Sequence, residues 1–282
     1  MKKLILAILL VVSISSLFAG CSIDLDIPSD HVDGASSGKQ DTGNAADKLS
    51  ADGKGLNKII ITNGVGTINL SKGSGDKVEI GYNKEVKGFG EIDKIMDQIL
   101  VRTETNGDEL TVSVKVKDEE SEDFWHWLSA HYKAMNVSVD FDIKVPENIK
   151  EFDIADGVGD ITLDYIKGKV DIKDGVGDIN LTNVSLADEC DFTSGTGDIS
   201  VDGEINELSH LSIKSGVGKT SLKLPGDSKF SLDASTGVGS IDGNLIKNGE
   251  GFVGDSLVQD VNGGGPDIEI KSGTGDILID KN

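Results

Sequence analysis

Ile172-Lys173-Asp174-Gly175-Val176-Gly177-Asp178-Ile179-Asn180-Leu181 is the stretch on which the fold turns. Apolar residues alternate before its glycines and again after them, which is the period of a half-buried strand. Across Gly175-Val176-Gly177 the parity slips by one. A straight strand would then turn its second half to the wrong face, so the chain must bend there. Glycines flanking a single Val supply that corner: they accept unusual φ values and carry no side chain to hold a neighbouring backbone away.

The pattern occurs seven times, over residues 61–70, 154–163, 172–181, 192–201, 213–222, 234–243 and 270–279. Gly157, Gly175, Gly195, Gly216 and Gly237 are spaced by 18, 20, 21 and 21 residues, a solenoid period. One copy cannot bury its apolar face alone, whereas stacked copies make a continuous Ile/Leu ladder with rungs about 4.8 Å apart. Upstream of Gly157 the pattern loosens. Residues 78–82, 110–116 and 137–145 alternate as strands. Two helical insertions are expected between them. Ile92, Ile95, Met96, Ile99 and Leu100 carry the first; Phe124, Trp127, Leu128, His131 and Met135 carry the second, after an acidic start at residues 118–123.

The amino-terminal end has a different character. Residues 1–20 read as a secretory signal: Met1-Lys2-Lys3, an apolar run from Leu4 to Phe18, then Ala19-Gly20. The run falls short of the ~20 residues a spanning helix needs. Leu17-Phe18-Ala19-Gly20-Cys21 resembles the lipobox of bacterial lipoproteins. That resemblance implies a diacylglyceryl group on Cys21 and cleavage just before it; Phe18 departs from the usual small or aliphatic residue. Residues 21–55, rich in Ser, Asp, Gly, Lys and Ala, read as a flexible tether reaching roughly 30 Å. Residues 56–282 are the repeat domain.

Composition narrows the function. Of 282 residues 37% are hydrophobic and only 5% aromatic, so the core is thin and aliphatic. A formal charge of −22 repels nucleic acid and anionic lipid surfaces. Arg102 is the only Arg, which leaves little for bidentate recognition of phosphate or carboxylate. With Cys21 lipidated, Cys190 stands alone and reads as a small core residue. His31 and His210 are solitary. His126 and His131 lie five apart and point ~140° away from each other on a helix, unlike a metal pair.

The Gly-x-Gly-Asp-Ile copies, with Val145-Pro146 leading into the tight array, resemble the bacterial adhesin-type family of β-repeat envelope proteins, also known as toastrack domains. The resemblance implies an all-β fold, a single-stranded right-handed parallel β-solenoid, with short helical insertions in its N-terminal part. It also implies display outside the cytoplasm for adhesion or envelope-stress signalling, and it carries over no site residues.

The expectation is therefore a non-enzymatic binding or envelope-sensing module. Its partners are the membrane, through the lipid at Cys21, and an envelope protein or surface ligand; nucleic acid is excluded. No catalytic, cofactor-binding or metal-binding residue is assigned. One alternative is a calcium-stabilised β-roll with Asp160, Asp178, Asp198 and Asp276 as ligands, beside Asp156 and Asp174. Thr67, Lys219 and Ser240 interrupt that row, which favours Asp as a local turn acceptor. A polysaccharide-active β-helix enzyme is the third reading, and it lacks clustered cations and a base. Trp125 and Trp127 belong either to a cap over one end of the stack or to a docking patch.

Overall fold

The computed structural model describes residues 41–132, 135–247 and 254–282. Cys21, the signal and the first part of the tether lie outside the described residues. Over the described residues the chain is all-β with two short helices, and the 19 described strands join one solenoid-like sheet.

The first four strands are β1 (Asp41–Asp52), β2 (Lys58–Thr62), β3 (Ile68–Lys72) and β4 (Lys77–Gly88); α1 (Ile92–Gln98), β5 (Ile99–Asn106), β6 (Glu109–Val116) and β7 (Glu119–Asp123) follow. Then come α2 (Phe124–His131), β8 (Asn136–Val145), β9 (Glu151–Val158), β10 (Ile161–Asp164) and β11 (Lys167–Val176). Two long strands, β12 (Ile179–Thr196) and β13 (Ile199–Val217), precede β14 (Thr220–Leu224), β15 (Phe230–Val238) and β16 (Ile241–Asp242). The chain ends with β17 (Asp255–Val261), β18 (Asp267–Thr274) and β19 (Ile277–Lys281).

Two sides of each coil stack in parallel. On the first, Ile61 pairs with Ile154, Ile154 with Ile172, Ile172 with Phe192, Phe192 with Ile213 and Ile213 with Ile270. On the second, Ile68, Ile161, Ile179, Ile199, Thr220 and Ile277 form one row, with Leu70, Leu163, Leu181, Val201, Leu222 and Ile279 beside it. Every member is buried. Each aliphatic side chain removed from water contributes about 1.5–3 kcal/mol, so a coil that is marginal alone becomes stable between neighbours.

Several expectations are corrected. The stack is not single-stranded throughout, because β1–β4, β4–β8, β5–β6, β6–β7 and β15–β17 pair antiparallel. The expected tether ends too late: residues 41–52 form β1, held by its ladder to β4 although its side chains are mostly exposed. The acidic run at residues 118–123 is mainly β7, and only Asp123 serves the helix, accepting from the N–H groups of Trp125 and His126 at 3.0 Å. Ile99 and Leu100 begin β5 instead of extending α1. Nor do the copies stack in chain order. The seventh lies between the fifth and sixth, with β18 between β13 and β15 and β19 between β14 and β16.

No helix among the described residues is long and apolar enough to cross a membrane.

Candidate binding surface

The corners create the most regular surface of the molecule. Gly197 has φ 142 and sits so close to the preceding coil that a Cβ there would fall on the carbonyl oxygen of Gly177. That contact repeats from coil to coil, which explains the glycine on each side of the corner residue. The corner residue itself points outwards. Val158, Val176, Thr196, Val217, Thr274 and Val238 stand in register, and the four valines are half-exposed. With rungs about 4.8 Å apart, the column is about 24 Å long.

Just beyond the corner lies the Asp row. Asp160 Oδ1 accepts the Asp178 N–H at 2.9 Å, Asp178 that of Asp198 at 2.8 Å, and Asp198 that of Lys219 at 2.7 Å. Asp276 does the same for Ser240 and Asp140 for Thr67, both at 2.9 Å. The expected turn role is thereby corrected: these carboxylates bond the next coil, not their own turn. Lys219 has no acceptor to offer, and there the next coil is held by backbone bonds instead, from the Gly218 N–H to the Thr274 carbonyl and from the Thr220 N–H to the Asp276 carbonyl, both at 2.9 Å. Among the described residues no group of three or more His, Cys, Asp and Glu is arranged to hold a metal ion.

Inside the corner runs a second polar column, which was not foreseen as one. Asn63, Asp156, Asp174, Ser194, Ser215, Ser272 and Thr236 occupy equivalent places on successive coils and are all buried. Asp156 Oδ1 accepts the Gly157 N–H at 3.0 Å, while Asp156 Oδ2 and both Asp174 oxygens lack a protein partner. Burial raises the Asp156 carboxyl to about 7, and the neighbouring Asp174 and Asp140 charges add to the rise. Burial likewise raises Asp174 to about 6, with Asp160 and Asp178 contributing. The sequence signal was present in the residue before each Gly-x-Gly, which is Asn, Asp, Ser or Thr in all seven copies.

At one end of the exposed column sits α2. Phe124 and Leu128 anchor it in the core, and a Cβ on Gly64 would fall within the Trp125 indole. The helix thus packs on the first Gly-x-Gly corner, in line with the valine column, through the Val65–Val158 bridge. A groove of 430 Å³ opens there, lined by Val65, Trp125, Leu128, Tyr132 and Met135. Trp127 lies apart, against Tyr132 and His131 with ring centroids 5.4 Å away. The two tryptophans therefore do different things: Trp125 covers the corner, and Trp127 braces the helix end.

The other singled-out residues are dispersed. Arg102 on β5 pairs with Glu104 at 3.0 Å and with Glu120. His131 lies 2.8 Å from the Trp127 carbonyl, and His210 is far along the chain on β13. Cys190 is buried, and burial raises its thiol to about 11; its sulfur accepts from the Val170 N–H at 3.4 Å and donates to the Ala187 carbonyl at 3.4 Å.

No curated protein matches the chain. Among solved structures, a "putative cell adhesion protein" of Clostridium sporogenes ATCC 15579 is 19% identical, over 86% of this chain and 100% of that one, with a TM-score of 0.43. A "putative adhesin" of Bacteroides fragilis NCTC 9343 is 15% identical, over 84% and 97%, with a TM-score of 0.35. The family model described as Toastrack DUF4097 matches residues 128–280, more than half of the chain and all the tight repeats from Gly157 onwards. By that match the chain belongs to the Toastrack DUF4097 family.

Proposed function

We propose that the protein is a lipid-anchored, extracytoplasmic, non-enzymatic binding or envelope-sensing module of the adhesin kind, tethered to the membrane through Cys21. The stack is taken as a right-handed parallel solenoid, the hand that right-twisted strands favour in parallel crossovers. One observation carries the reading: the exposed Val/Thr column that runs, rung by rung, into the aromatic groove beside α2. The Val and Thr side chains of the column carry no titratable group, so that surface is suited to contact and not to proton or group transfer. Glycine corners packed backbone to backbone keep it rigid, which lowers the entropy lost on binding. Exposed valines in register, in a chain of −22, fit an apolar edge of an envelope protein. Trp125 and Tyr132 are of the types that anchor such contacts.

The test is capture of envelope proteins by the full-length protein in detergent. Replacing Val176 and Val217 together by Glu should abolish capture of whatever the wild type retains, with little change in melting temperature, since both side chains point to solvent. Undiminished capture by the double variant would sink the proposal.

A further inference from the structure

The chain leaves the stack after β3. The first repeat coil therefore has two stacked sides but no third, and a gap opens between the turn at residues 145–150 and the third side of the next coil, at residues 165–167. The gap is a cavity of 510 Å³, within the range of small-ligand sites. Its floor is apolar, with Ile149 and Ile166 buried, and its rim carries Lys72, Lys150, Lys167 and Tyr165 against a single carboxylate, Glu147.

Three ammonium groups around one cavity stand out in a chain of −22. Lys72 pairs with Glu147, and Lys167 with Glu207 at 2.9 Å. Both pairs are well exposed, so each costs little to exchange for another anion. Lys150 is exposed and enters no ion pair among the described residues.

Tyr165 is the second observation. Its φ is 55, in the left-handed region that a bulky residue rarely occupies. The next coil has the same turn: the Tyr165 N–H donates to the Thr182 carbonyl, and Asn183 at the equivalent place also has φ 55. Asn is one of the few residues that tolerate this conformation. A Tyr there satisfies no backbone need, and being 61% exposed it satisfies no packing need either. Strained residues of this kind collect at ligand sites.

We propose that this cavity binds an anionic sugar unit of an envelope polymer, with the sugar ring on the face of Tyr165 and its carboxylate or phosphate among Lys72, Lys150 and Lys167. Lysine ammonium groups act as point charges and accept either anion. The site is separate from the corner column and does not depend on it.

Calorimetric titration of the full-length protein in detergent separates the possibilities, with oligogalacturonate, phosphorylated maltotriose and neutral maltotriose as probes. At least one anionic probe should bind at least tenfold more tightly than maltotriose, and added salt should weaken it. Which one binds distinguishes a carboxylated from a phosphorylated source. Tyr165→Asn restores the residue type of the next coil, so its melting temperature should equal or exceed the wild type while binding falls at least tenfold. Lys150→Gln should weaken the charged probe and leave the fold intact. The proposal fails if neither anionic probe binds, if maltotriose binds as tightly, or if Tyr165→Asn binds as the wild type does.

Discussion

At Gly197 two demands fall on one residue: a φ of 142 and a neighbouring carbonyl where a Cβ would stand. Either alone would favour glycine, and together they exclude everything else. Gly197→Ala is therefore expected to cost about 2–4 kcal/mol, well beyond ordinary glycine propensity. The loss should appear in urea unfolding as a lower midpoint at unchanged slope. Val176→Thr, one rung away and facing solvent, should be nearly neutral. Equal stability of both variants would mean that the corners are not the close contacts described. This residue-level logic was legible beforehand, because a parity slip between two glycines admits few solutions. The partner of each Asp was not legible, since sequence spacing cannot distinguish a carboxylate that bonds its own turn from one that bonds the next coil.

At the scale of elements, legibility followed burial. The strands at residues 78–82, 110–116 and 137–145 announced themselves by alternation and recur as β4, β6 and β8, the last two one residue longer than expected and β4 running on to Gly88. β1 gave no such signal. Only Leu49 and Ala51 of its 12 residues pack on the core, so nothing periodic marks it, and its ladder to β4 supplies the stability that side chains do not. β7 was hidden by its charge, since an acidic run suits a helix start as well as an exposed edge strand. The order of coils was beyond reach for a different reason. The seventh copy could pair with any other, because all copies present the same ladder. Its place between the fifth and sixth depends on the excursion through β17, which adds antiparallel to β15 and covers that edge of the stack.

For the whole molecule, the anchor and the fold are expected to be independent. Cys21→Ala should move the protein from the detergent phase to the aqueous phase without altering its melting temperature; a wild type free of acyl chains by mass spectrometry would remove the basis for the proposed localisation. The pH dependence of stability is a sharper global test. Asp156 and Asp174 lie on adjacent coils, buried and without a counter-charge, and burial raises them from 3.8 to about 7 and about 6. In the unfolded chain both ionise near pH 4, as ordinary Asp does. Between pH 4 and 7 the folded state therefore holds protons that the unfolded state has released, and stability falls as pH rises. The contribution is fully present below pH 4 and gone above about pH 7. From pH 5 to pH 8 the loss should be on the order of 3 kcal/mol, because each tenfold difference in proton affinity is worth about 1.4 kcal/mol, less some coupling within the pair and some screening by solvent. Raising the pH also adds negative charge to a chain already at −22, which acts in the same direction. Asp156→Asn and Asp174→Asn remove the buried charge but keep an oxygen in the column. Each variant should be more stable than the wild type at pH 8, nearly equal to it at pH 5, and flatter in between. A wild type that is most stable at pH 8 would show that the two carboxylates are compensated in the folded protein, and the inner column would then have to hold a cation between them.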